Sequence, residues 1–212
     1  MQRLFSSLQR LPVWLRWIGA IFFAVLLGGI AGAGLYRFDH RPSGALFGTV
    51  LENPHYVGNI RLTAHTGEPF ALSQSRGRLM LVFFGFVRCP DECPLTMGRL
   101  ARIYENLSPA QRAQVDVVLV TVDPSHDSPE VLGNYVRAFH SDFMGLTGSS
   151  ADIANAARDF FVGFREIAGE QFMHNDHVSL IDRQGLLRVV YRQDNVMHIA
   201  DDLPQLLASS AF

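Results

Sequence analysis

Hydrophobic and polar residues alternate with different periods along this chain, and the first pattern is not an alternation. Residues 18–36, IGAIFFAVLLGGIAGAGLY, run without a charged side chain. A helix needs about 20 apolar residues to cross a bilayer, so this stretch predicts a transmembrane helix. Trp14, Trp17 and Tyr36 mark its edges, and residues 1–17 hold Arg3, Arg10 and Arg16 with no acidic residue. Arginine on that side keeps the N-terminus cytoplasmic. Ala31-Gly32-Ala33 offers the rival reading of a cleaved signal peptide, but the apolar run exceeds the usual core of about 7–15 residues. A retained anchor is expected, and both readings export the rest of the chain. Gly28 and Gly32 have helix-dimer spacing, yet small residues are common in membrane helices and no dimer is inferred.

Residues 37–49, RFDHRPSGALFGT, read as a tether to a domain over residues 50–212. IRLTAHTGEPFAL has a Thr66-Gly67 turn signal between short alternating segments, which predicts a hairpin. LMLVFFGF (79–86) and VDVVLVTVD (115–123) are continuous apolar runs of the kind a strand buried on both faces requires. Between them Leu100, Ile103, Tyr104 and Leu107 recur at helical spacing. Ser128-Pro129-Glu130 opens another helix, with Leu132, Tyr135, Val136 and Phe139 as its apolar face. SADIANAARDFF (150–161) predicts a helix, HVSLIDRQGLLRVVYR a hairpin turning at Arg183-Gln184-Gly185, and IADDLPQLLASS a last helix. Alternation first and a hairpin late predict an α/β fold, a central mixed sheet flanked by helices in the order of thioredoxin.

Composition changes this picture little. With 212 residues, 48% of them hydrophobic, there is enough for one sizeable domain. The net charge of −2 and the absence of any basic cluster argue against nucleic acid. Every basic residue is Arg, scattered as solvated surface usually is.

The chemistry concentrates in FGFVRCPDECPLTMGRL (84–100), which holds both cysteines, Cys89 and Cys93. In an exported domain two cysteines are by default a structural disulfide. Their place between a buried strand and a helix start argues for more. Pro90 and Pro94 are tolerated in a first helical turn, and the positive end of a helix dipole favours thiolate. A four-residue offset puts both sulfurs on one side of that turn, so they could close a disulfide, exchange one with a partner, or share a metal ion. Thioredoxin-like redox motifs have two intervening residues, not three. A third ligand would come from His40, His55, His65, His126, His140, His174, His177 or His198. A lone His is more often surface or satisfied core; only QFMHNDHVSLID brings two together, ahead of the late hairpin. A site of two sulfurs and one nitrogen suits copper, Cu(I) above all.

CPDECP after LVFFGFVR, DPSHDSPEVLGNYVRAFH (123–140) with GLTGSS (145–150), and HNDHVSLIDRQG (174–185) together resemble, in order, the blocks of the Sco/SenC family over residues 50–208. The resemblance implies a membrane-anchored, thioredoxin-like protein binding one copper ion, Cu(I) or Cu(II), through Cys89, Cys93 and a distal histidine. It also implies service to the dinuclear copper centre of cytochrome c oxidase subunit II, or another copper enzyme, by delivering copper or reducing that subunit's cysteines. It further implies an upstream copper donor and thiol reductant, and a place in the cytoplasmic membrane with the domain in the periplasm. Asp123 falls on a recurrent acidic position with a supporting role. His126 and Ser128 stand where the family has Arg and Thr. Asp176-His177 copies a family dipeptide, but the family's interval from ligand to hairpin glycine matches His174 to Gly185. An odd offset in a strand reverses the side-chain face, and register favours His174, with His177 the alternative. The rival function is a thiol-disulfide reductase using the Cys89/Cys93 couple.

Overall fold

The computed structural model describes residues 45–167, 171–174 and 177–212, together with Phe22, Phe23 and Val25, which are helical. The remainder of the anchor expected over 18–36 lies outside the described residues, and among these no helix is long and apolar enough to cross a membrane. The chain divides into Met1–Ala45 and Leu46–Phe212; the second unit carries the fold.

Its centre is β4 (Leu79–Gly85), every residue of which is buried. β4 pairs in parallel with β5 (Val115–Thr121), which pairs in parallel with β6 (Met144–Thr147). Around this core the sheet is antiparallel. β9 (His177–Ile181) flanks β4 and pairs with β10 (Leu186–Arg192), and β1 (Thr49–Tyr56) closes that edge. β2 (Arg61–Ala64) and β3 (Pro69–Ala71) close the other, giving the order β1-β10-β9-β4-β5-β6-β2-β3. The two hairpin turns have the glycines they need, Gly67 and Gly185 both at φ +88°. A mixed sheet with parallel strands at its centre is the predicted thioredoxin-like arrangement.

The crossovers are α1 (Glu92–Glu105) between β4 and β5, followed by the short α2 (Pro109–Arg112), and α3 (Pro129–Phe139) between β5 and β6. α3 starts as its sequence demands, with the Ser128 side chain accepting from Val131 N–H. α1 and α3 pack against each other. α4 (Ser150–Asp159) follows β6, and α5 (Ile199–Ala208) ends the chain. β7 (Phe164–Ile167) and β8 (Gln171–His174) form a separate two-stranded sheet.

The end of the stretch read as a tether belongs to this body. Phe47 N–H and Gly48 N–H reach Asp202 Oδ2 at 2.8 and 3.1 Å, and Tyr191 Oη donates to the same oxygen at 2.9 Å. Asp202 has no solvent exposure. A buried carboxylate holds its place only when so supplied with donors, and here it fastens the incoming chain to α5.

Candidate metal centre

β4 delivers the chain to the site through a glycine. A Cβ on Gly85 would lie 2.9 Å from Phe83 Cε1, 3.0 Å from Cys93 Sγ and 3.2 Å from Leu119 Cδ1. Only hydrogen leaves room for a sulfur to rest against the sheet. Beyond the loop, Asp91 stands at the N-cap of α1, yet its side chain makes no capping bond. Cys89 takes that role: Cys93 N–H points at Cys89 Sγ over 3.4 Å. The first amides of a helix lack intrahelical partners, and one of them is met by sulfur. No disulfide joins the two cysteines; Cys93 is fully buried and Cys89 half-buried. The two thiols expected to act together do meet at one helix start, Cys89 in the loop before α1 and Cys93 in its first turn.

A second layer holds the loop that carries Cys89. Asp127 Oδ2 accepts from Val87 N–H at 3.1 Å and from Thr121 Oγ at 2.6 Å, and the same Thr121 oxygen accepts from Asp123 N–H at 3.0 Å. Arg88, next to Cys89, donates to Asp123 Oδ2 at 2.8 Å. Ser125 Oγ and His126 Nδ1 meet Asp123 Oδ1, both at 2.8 Å. The two carboxyls are buried alike, but their environments push them apart. At Asp123, burial opposes the charge, and bonds from Arg88, His126 and Ser125 outweigh it, holding the carboxyl below its ordinary range. At Asp127, burial dominates and pushes the carboxyl up despite Thr121 and Val87. Asp123 therefore acts on the cysteine loop through Arg88. Sequence alone does not single out Asp127, Thr121 or Arg88; the only signal is the four-residue spacing of the two aspartates in DPSHD. His126, the departure from the family pattern, joins this network, and Ser128 caps α3.

The two candidate third ligands part company. Phe83 and Gly85 face Cys93, and Val178 pairs with Phe83 across β4 and β9. Its neighbour His177 must then point to the opposite face of the sheet. There His177 Nε2 lies 3.2 Å from the carbonyl of Phe160, whose ring meets that of Phe84. His174 ends β8, opposite Phe164; its side chain lies outside what the structure describes, and so does Asp176. Other histidines are engaged elsewhere. His55 meets the Asp159 carbonyl, His65 and His140 accept from Gly145 and Asp142 N–H, and His198 meets Asp201. Among the described residues no group of three or more His, Cys, Asp or Glu converges as a metal site.

The family model for SCO1/SenC matches residues 49–208. The chain belongs to this family. An SCO2-like protein of Rickettsia felis is 33% identical over 179 residues, which cover 79% of this chain and 86% of the relative. The solution structure of apo Sco1 from Thermus thermophilus shares 36% identity at a TM-score of 0.68, covering 79% of this chain and 99% of that one. Arabidopsis thaliana ScoI, solved with copper bound, shares 26% identity at a TM-score of 0.63, covering 71% and 99%. For an SCO1/SenC chain the donor set present here is chemically apt: two soft sulfurs at one helix start suit a copper ion.

Proposed function

We propose that this chain is an exported, membrane-anchored copper carrier. It holds one ion on Cys89, Cys93 and His174 and delivers it to, or prepares, the dinuclear copper centre of cytochrome c oxidase subunit II. The observation that carries this reading is the pair of unbridged thiols gathered at the start of α1, with Cys93 N–H on Cys89 Sγ at 3.4 Å. Membership of the SCO1/SenC family and the copper-bound Arabidopsis relative support copper as the cargo. A related SCO1/SenC lipoprotein of Bacillus anthracis, 25% identical, supports attachment at a membrane. His174 is preferred for its interval to Gly185 and because His177 is turned to the Phe160 side.

The unequal burial of the sulfurs suggests the order of transfer. A partner's thiolate or imidazole reaches the half-buried Cys89 first, while buried Cys93 holds the ion until the new bonds have formed. Arg88, braced by Asp123, sets the loop on which Cys89 sits. A disulfide would remove both ligands, so loading requires an upstream thiol reductant and a copper donor.

Copper titration of the reduced chain lacking residues 1–37 tests this. One copper per chain is expected, lost in Cys89→Ser and weakened sharply in His174→Ala, with His177→Ala close to the parent. A Cys89→Ser protein of full affinity refutes the carrier reading. The same unequal burial is what a thiol-disulfide reductase needs, one accessible thiol to attack and one sheltered thiol to resolve. The two readings separate at His174→Ala, which spares disulfide exchange if reduction is the function.

A further inference from the structure

α4 closes in a motif built for glycine. Phe161 N–H donates to the Arg158 carbonyl at 3.1 Å and Val162 N–H to the Ala157 carbonyl at 2.8 Å. These are the paired bonds by which a helix ends on a left-handed residue. That residue is Phe161, at φ 57°, the only non-glycine with positive φ among the described residues. A bulky side chain resists this conformation, which glycine or asparagine takes readily. Burial does not account for the phenyl ring either, since Phe161 stays 58% exposed. The ring instead meets that of His55 edge-on, 5.3 Å between centroids. His55 Nε2 also donates to the carbonyl of Asp159, the last residue of α4, at 2.6 Å. His55 lies in β1 at its shift of register, the kind of irregularity that re-aims a side chain. A backbone outlier held by a second element marks a position with a task.

The task lies just downstream. Val162 is buried, and after Gly163 the chain enters β7 at Phe164, which pairs with His174 at the end of β8. Resting on the reading of His174 as the third copper ligand, we propose that Phe161 and His55 are positioning residues. Their contact fixes the end of α4, and with it the root of the β7–β8 hairpin that carries His174. Phe160 anchors the helix end to the sheet, its buried ring 5.2 Å from that of Phe84. That anchor leaves the next backbone pair free to turn. The φ angle of Phe161 sets the direction in which the chain leaves α4, and a ring held against His55 allows one value of it. Both residues act through the backbone and touch no copper.

The test compares the full chain, solubilised in detergent, with Phe161→Asn, Phe161→Tyr and His55→Ala. Asparagine relaxes the left-handed backbone and removes the ring, whereas tyrosine keeps the ring. Amide hydrogen exchange is followed by mass spectrometry without copper. Over residues 164–174 it should run about three- to tenfold faster in Phe161→Asn and His55→Ala, the range one aromatic pair supplies. Phe161→Tyr should exchange as the parent does, and Phe161→Asn combined with His55→Ala no faster than His55→Ala alone. Tm of Phe161→Asn stays level or rises, because the strained backbone is relieved. Competition with a chromogenic chelator should then show Cu(I) affinity about tenfold lower in Phe161→Asn and restored in Phe161→Tyr. Parent-like exchange over the hairpin overturns the proposal. So does a fall in Tm with faster exchange throughout the domain, which makes the ring a support of the fold. His174→Ala is titrated in the same preparation. If it weakens binding, parent-like copper affinity in Phe161→Asn also overturns the proposal. If it does not, or the parent binds no copper, the ligand reading fails, and the copper-free exchange alone decides whether Phe161 and His55 hold the hairpin.

Discussion

Adding one methyl group at Gly85 should damage the fold and the sulfur site together. Gly85 is not among the glycines with positive φ, so its backbone accepts alanine and the whole effect is steric. The new Cβ would sit 2.9 Å from the Phe83 ring and 3.0 Å from Cys93 Sγ. Phe83 is fully buried at the centre of the sheet and cannot swing away, which leaves α1 and its cysteine to move. Overpacking of this kind costs about 1–3 kcal/mol, which for a domain of this size lowers Tm by about 2–12 °C. Thermal unfolding followed by circular dichroism gives the stability of the reduced protein, and copper titration gives the second reading, a weaker site with Cys93 displaced. Gly98→Ala is the matched control. It lies on the same helix with nothing within 4 Å of its Cβ position, and alanine there should add about 0.5–1 kcal/mol through helix propensity. A Gly85→Ala protein with the parent's Tm and copper affinity would refute the close packing of sulfur against sheet.

Other substitutions probe the supports. Asp202→Asn should cost about 1–3 kcal/mol in urea unfolding, because with the amide oxygen in place of Oδ2 the amide nitrogen would face Phe47 N–H and Gln205 Nε2, which donate to Oδ1 at 3.1 and 3.4 Å; a midpoint equal to the parent's would remove the clamp. Asp123 and Asp116 should show opposite pH dependence. Asp123, held below its ordinary range, contributes stability that is present above the unfolded value of 3.8 and lost as pH falls through its folded value. Asp123→Asn should therefore lose stability at neutral pH and converge on the parent in acid. Asp116 is pushed up by burial, against Ser75 and Arg78, whose Nη2 lies 3.0 Å from Oδ2. Its contribution falls as pH rises from 3.8 through the raised folded value, so Asp116→Asn should lose less stability than the parent over that window.

The elements legible in the sequence are those whose burial writes a simple pattern. LMLVFFG and VDVVLVT are strands buried on both faces, and continuous apolar runs announce them. Ser128 and Gly185 declare a helix start and a turn because each conformation needs that residue type. β1 is illegible: Glu52, Asn53 and Pro54 interrupt it, as an edge strand with a shift of register between Val50 and His55 tolerates. β6 and the β7–β8 hairpin are four-residue strands, too short to show a period. At the site, the cysteines are visible as a pair at a helix start. The residues that hold them, Gly85, Thr121 and Asp127, are not, because each acts through a contact made only when β4, β5, α1 and α3 come together.

The sulfur cap of α1 makes a backbone proton a witness to the cargo. The Cys93 amide meets Cys89 Sγ, so its resonance depends on whether that sulfur is a thiol, a thiolate, half of a disulfide or bound to an ion. A single nitrogen-15 label at Cys93 would follow loading, oxidation and handover in the intact protein, with both sulfurs left unmodified and the partner unlabelled.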